Sequence, residues 1–410
     1  MSQAAPIKSA QKQHSLDAQK TVSKNVPKLR FPGFKGEWKT RKLGDLATKV
    51  GSGSTPRGGS AVYKTSGVPF IRSQNVTNGR LEMSDVVFID RKIHESMLNS
   101  RLQPDDVLLN ITGASLGRTC VVPSDFKEGN VNQHVCIIRL NETANPFLVH
   151  TILSQPRSLH ELLKTQTGGG KEGLNFQAVR SFKVTLPDFD EQQKIAGFLT
   201  AVDDRVAVID KRLQLLKKYK KGAMQKIFTQ KIRFKDKNGK DYPAWEEKKI
   251  SEIAYKENST VSANEIEGKT GKYKVFGASG FVQKLDRYDQ EDEYIAVVKD
   301  GAGVGRLGLY EPKSSVLGTL NVVKPKQGIV TRYLYALMST IDFAKYSIGS
   351  TIPHVYFKDY AKEKFAVAAE PEQQKIADFL TAIDEKIKLE EAKLTQTKKF
   401  KKSLLQRMFV

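Results

Sequence analysis

"EQQKIAGFLTAVD" (residues 191–203) and "EQQKIADFLTAID" (residues 372–384) lie 181 positions apart in one chain. The likeness runs on without a gap to Phe228 and Phe409, and 18 of the 38 paired positions are identical. Others are close exchanges: Val202/Ile383, Arg205/Lys386, Tyr219/Phe400 and Lys226/Arg407. A match of this length marks an internal duplication.

The repeated segment reads as a long helix with one apolar seam. Ile195, Leu199, Val202, Val206, Ile209, Leu213 and Leu216 follow a 4–3 spacing, the heptad pattern of a coiled coil. The second copy keeps the register with Ile376, Leu380, Ile383, Ile387 and Leu394, and is weaker at Glu390 and Thr397. Asp188 and Glu191 have the spacing of an N-cap and its reciprocal partner, and Pro371 suits a first helical turn. Lysines 217, 218, 220, 221 and 398, 399, 401, 402 crowd the C-terminal halves, where cations complement the helix dipole. Each helix of about 38 residues spans about 57 Å. Such a seam needs a mate, and the simplest mate is the other copy.

The duplication extends faintly to the start of each half. Residues 29–47 and 232–254 both carry Arg-Phe, then a tryptophan (Trp38, Trp245), then Lys-Leu or Lys-Ile. The order is therefore a basic tail (1–28), a variable block (29–187), a helix (188–230), a second variable block (231–370) and a helix (371–410). The tail has few apolar residues and is expected to be disordered. Both blocks are rich in short strand-like runs broken by Gly, Asn, Asp and Pro. They share one further element, Gly113-Ala114-x-Leu116-Gly117-Arg118 against Gly301-Ala302-x-Val304-Gly305-Arg306. Duplicated parts suit a frame, and diverged parts suit two different targets.

Bulk properties narrow the partners. The 410 residues are too many for one core, and the 39% hydrophobic content is adequate for globular folding. No long apolar run or signal-peptide core is present, which predicts a protein without membrane contact. Two cysteines, Cys120 and Cys136, and no CxxC predict a reducing, cytoplasmic setting. A net charge of +22 favours a polyanion, with nucleic acid the first candidate.

The chain resembles the specificity subunit of type I restriction–modification systems. The resemblance covers residues 29–410. It rests on "LPDFDEQQKIAGFL" and "EPEQQKIADFL", on the Arg-Phe…Trp opening of each half, on the block spacing, and on "GVPFIRSQNV" (67–76). It implies a mixed α/β fold with two target recognition domains joined by two long conserved helices. These form an antiparallel intramolecular coiled coil with pseudo-two-fold duplication. It further implies that each domain reads one half of a split site in double-stranded DNA. The helices would set the spacer and dock two modification subunits, adenine-N6 methyltransferases. Two restriction subunits, translocase and nuclease, would join them. The chain itself would be non-catalytic and carry no cofactor, with S-adenosylmethionine, ATP and Mg2+ on the partners. The alternative is a self-contained DNA methyltransferase or nuclease.

Three motifs point elsewhere only formally. Gly303-x-Gly305-x-x-Gly308 has dinucleotide-fingerprint spacing, but "LGLYEP" after it reads as a strand where a helix is required. Residues 167–173, "TGGGKEG", lack P-loop spacing and read as a basic loop open to phosphates. Glu267-Gly268-Lys269 has no secure acidic partner, and neither His134 nor His354 is spaced to a second metal ligand.

Base edges are read by Arg, Lys, Asn and Gln, and phosphates by Lys, Arg, Ser and Thr. The first block offers Arg72, Ser73, Gln74, Asn75, Arg118, Asn130, Asn132, Gln133, His134, Lys171 and Asn175. The second offers Lys274, Ser279, Lys284, Lys299, Arg306, Thr319, Asn321, Ser350, Thr351 and His354.

Overall fold

The computed structural model describes residues 25–77, 79–164, 173–301, 303–349 and 351–409. Most of the expected tail lies outside them. Its last residues belong to the fold: the Asn25 carbonyl accepts the Trp38 N–H at 2.9 Å, and Pro27 is buried. The chain forms two compact units. One comprises the described residues up to Val206 with those from Thr397 onward; the other is Ala207–Gln396. The units part inside the long helices, so each holds one end of each helix.

The helices are Phe189–Phe228 and Glu370–Met408, 40 and 39 residues long. In the first unit Ile195, Leu199 and Val202 share a core with Leu404 and Met408. In the second, Ile376, Leu380 and Ile383 share one with Ile227. The start of each helix thus packs on the end of the other, which is the antiparallel arrangement. Ile209, Leu213 and Leu394 are also buried; Val206, Leu216 and Ile387 are half-buried. Three of the lysines pair with the other helix. Lys217 reaches Glu391 at 2.6 Å, Lys220 reaches Asp384 at 2.6 Å, and Lys401, the repeat counterpart of Lys220, pairs with Asp203, the counterpart of Asp384. The weak point of the second seam, Glu390, is buried and held by Lys393 at 2.9 Å and Arg212 at 3.6 Å. The Lys393 hydrogen bond leads in keeping its carboxyl below the usual range.

The repeated Glu-Gln is a clamp. Glu191 accepts two hydrogen bonds from Arg30, at 2.7 and 2.6 Å, and is buried. Glu372 accepts from Arg233 at 3.2 and 2.7 Å and from the Trp245 indole at 2.8 Å. The expected capping role of Glu191 is therefore corrected: a side-chain guanidinium outcompetes the local backbone because the pair is bidentate and charge-assisted. Each hydrogen bond also raises the pKa of its arginine. The next residue repeats too. Gln192 accepts from Asn145 N and donates to the carbonyls of Thr143 and Pro187. Gln373 accepts from Val330 N and donates to those of Gly328 and Ala368. Arg-Phe, helix and block are thus locked together twice by the same chemistry.

Both blocks build one topology. The first unit has a four-stranded sheet in the order Ala47–Ser52, Val135–Leu140, Val107–Asn110, Thr119–Val121. The second repeats it as Ala254–Asn258, Leu320–Pro325, Tyr294–Val298, Leu307–Tyr310. All pairings in both are antiparallel. The central strands are apolar at almost every position because both faces are covered, and the two-residue period sends alternate side chains to different cores. Val107 and Leu109 join the helix-side core, whereas Leu108 enters another; Ile295 and Val297 part from Ala296 in the same way. A two-strand ribbon closes each block, Lys39–Lys42 on Lys183–Leu186 and Glu246–Lys249 on Lys364–Val367, and leads into the long helix.

Candidate nucleic-acid interface

The shared Gly-Ala loops join the third and fourth strands of each sheet, and they match bond for bond. In the first unit Asn110 N donates to Arg118 O, Gly117 N to Asn110 O, Leu116 N to Gly113 O and Arg118 N to Ser115 O, at 2.8–3.1 Å. In the second, 188 positions on, Val298 N donates to Arg306 O, Gly305 N to Val298 O, Val304 N to Gly301 O and Arg306 N to Gly303 O, over the same range. Gly117 and Gly305 take φ of +83° and +79°, and a side chain there would run into Leu159 or Phe343. The strand–loop–strand form agrees with a hairpin and not with a dinucleotide fingerprint, as expected. Arg118 and Arg306 are both exposed; Arg306 donates to Ala278 O at 2.7 Å.

Other candidate residues gather around the first loop. Asn110 donates to Ser73 O and Ser115 Oγ, tying the 72–75 turn to it. His134 meets Thr112 at 2.7 Å and Gln133 at 3.3 Å, and Gln133 accepts from Thr55. Leu174 N donates to Ile111 O, which brings Asn175 alongside. Lys171 lies outside the described residues.

Several candidates are committed to the fold. Asn75 is buried; it accepts from Arg72 N and donates to the carbonyls of Glu82 and Asp85. Asn130 is buried against His94, Met97 and Ser100. Asn132 is buried and accepts from His134 N. Asn175 caps the helix Phe176–Ser181 through Ala178 N at 2.7 Å. Asn75, Asn130 and Asn132 are corrected to structural roles, because a buried amide is spent on hydrogen bonds inside the fold, whereas Asn175 is exposed. Arg72 is half-buried over Tyr63 and bonds Asp85 O, and Gln74 donates to the Asp85 carboxylate. Ser73 is half-buried; Gln133 and His134 are exposed.

In the second unit Lys299 N donates to Thr319 O, Gly301 N to Pro353 O and Val355 N to Lys299 O. His354 meets Asp300 at 2.8 Å. Lys299, Arg306, Thr319 and His354 therefore surround one loop, with Ser279 beside Ala278, and Thr351 is exposed. Ser350 lies outside the described residues. Lys274 and Lys284 are directly cross-strand, and Lys274 pairs with Glu311 at 2.8 Å. Asn321 is corrected: it is buried in a strand paired on both sides.

Thr55 and Thr112, which carry no motif, bond the candidates Gln133 and His134, and Arg80 is exposed on the small hairpin Val76–Thr77/Arg80–Leu81; the sequence reading singles out none of the three. The Asn-Gly at 78–79 was the available signal for that hairpin.

The family described as "Type I restriction modification DNA specificity domain" matches residues 35–218 and 243–399, most of the chain. The chain belongs to this specificity family. A relative from Methanocaldococcus jannaschii, the type I restriction enzyme MjaIX specificity subunit, is 22% identical over 411 residues, covering 91% of this chain and 92% of its own. The MjaVIII specificity subunit of the same organism is 26% identical over 281 residues, covering 59% and 65%. The crystal structure of a type I restriction-modification S subunit from M. genitalium shares the fold, with a TM-score of 0.63 at 14% identity over 94% of this chain and 99% of that one. The two matched segments of the family description fall one in each half of the duplication, as the repeated topology requires.

Proposed function

We propose that this chain is the DNA-specificity subunit of a cytoplasmic type I restriction–modification complex, each unit reading one part of a split double-stranded site. One observation carries this reading: the two units hold different loops on one scaffold. Strands Val68–Ile71 and Val87–Ile89 are separated by residues 72–86 and their small hairpin. The topologically equivalent strands Tyr273–Gly277 and Gly280–Leu285 are joined by a two-residue turn. A common frame with different reading edges suits two unlike half-sites, and the +22 charge suits the duplex.

The helices support docking of two modification subunits. Val208, Leu215 and Tyr219 form an exposed stripe on the first helix, and Leu389 and Phe400 are exposed on the second. Val208/Leu389 and Tyr219/Phe400 are equivalent repeat positions, so a duplicated surface would meet two copies of one partner. The restriction subunits would join that assembly. Methyl transfer and cleavage, with S-adenosylmethionine, ATP and Mg2+, would belong to the partners.

The test is a domain exchange. Replacing residues 29–187 by the corresponding block of a relative and mapping methylation, with the modification subunit present, should change one half-site and leave the other. A change in both halves would refute independent readers. Methyl transfer or cleavage by the isolated chain would favour the self-contained enzyme.

A further inference from the structure

We infer that the Gly-Ala-x-x-Gly-Arg loop is a grip on the DNA backbone common to both units, with Arg118 and Arg306 each placing a guanidinium on a phosphate. Base choice is left to the loops that differ. This rests on the DNA-recognition reading above and assigns separate tasks within it.

The argument starts from what the two units share. Around these loops the backbone frame is kept but the side chains and one insertion have diverged: residues 72–86 face a two-residue turn, and the bridge formed by Thr112 and Gly173 in one unit is formed by Asp300 and His354 in the other. The loop itself keeps four backbone hydrogen bonds, its left-handed glycines and its terminal arginine. Two unlike half-sites have one chemical feature in common, the phosphodiester backbone. An exposed arginine whose backbone is held identically in both units fits that feature, whereas a base reader would be expected to differ. Phosphate contacts fix register and orientation without carrying sequence.

The geometry suits the task. The arginine backbone is fixed through both its N–H and its C=O, so the side chain leaves from a rigid point. Gly117 and Gly305 seat the loop against Leu159 and Phe343. A guanidinium carries five N–H donors in a fork that matches phosphate oxygens. The Arg306 bond to Ala278 O engages one of the two terminal nitrogens.

The experiment uses the full chain assembled with its modification subunits. Affinity is measured for a duplex bearing the mapped site and for one lacking it, from about 50 to 200 mM salt. Variants are Arg118→Ala, Arg306→Ala, the double substitution, and Arg118→Lys and Arg306→Lys. Each alanine should weaken both duplexes by the same factor and reduce the salt slope by about 1, and the double variant by about 2. The methylated sequence should not change, and lysine should restore most of the slope. Relaxed choice at one base position would overturn the inference by making the arginine a base reader. An unchanged slope would overturn it too; with a lowered melting temperature for Arg306→Ala, it would reduce Arg306 to a brace for the 278–279 turn. If the unsubstituted complex binds neither duplex, the DNA-recognition reading itself falls.

Discussion

His150 shows how burial sets a residue's chemistry. It sits on the helix Pro146–Leu153, buried beside Phe147, with Thr119 Oγ1 at 3.4 Å. Burial pushes its pKa down to about 4, and nearby Lys401 pushes the same way. The unfolded chain takes up this proton near the usual value of about 6.5, but the folded chain does so only near 4. Stability from this group is therefore complete above pH 6.5 and falls as pH drops towards 4. Melting temperature across that range should decline for the native chain and decline less for His150→Gln. Equal slopes for the two would show that His150 is not the group responsible. Cys120 and Cys136 obey the same rule with opposite sign: burial raises both thiols to about 12, which makes them inert packing.

The long helix is the element on which the fold depends. Val202 packs in the core that takes Leu404 and Met408 from the other helix. Cutting buried apolar side chains to alanine costs about 2–5 kcal/mol at larger residues, and a buried unpaired carboxylate is worse. Val202→Asp should lower the melting temperature by about 5 °C or more, using about 2–4 °C per kcal/mol for a unit of this size. It should also abolish co-purification of a modification subunit. A normal melting curve with normal assembly would place the seam elsewhere. The heptads were legible because an apolar stripe is written locally. The Glu-Gln clamp was visible only as an unexplained identity: its partners Arg30 and Arg233 lie 161 and 139 positions away.

For the whole molecule, the continuous helix Phe189–Phe228 starts in one unit and ends in the other. If it acts as a ruler, four residues inserted after Leu213 add about 6 Å, near two base pairs of rise, and introduce a stutter. Methylation mapping should then find both half-sites intact with a longer spacer, or no activity if the register fails to recover. Full activity at the original spacer would leave the helices as docking surface alone.

The duplication, the heptads, the basic charge and the strand-rich blocks all followed from sequence, because each is a property of composition or of short-range period. The family resemblance rested on the same repeated stretches. Only the tertiary structure decided which polar residues are available to a ligand. Asn75, Asn130, Asn132 and Asn321 have the right chemistry for reading adenine, yet they are buried within turns or a central strand. Arg118 and Arg306, whose guanidinium groups suit phosphate oxygens, are exposed. The difference is physical: a side chain's type is local, but its burial depends on backbone and strands that arrive from distant parts of the chain.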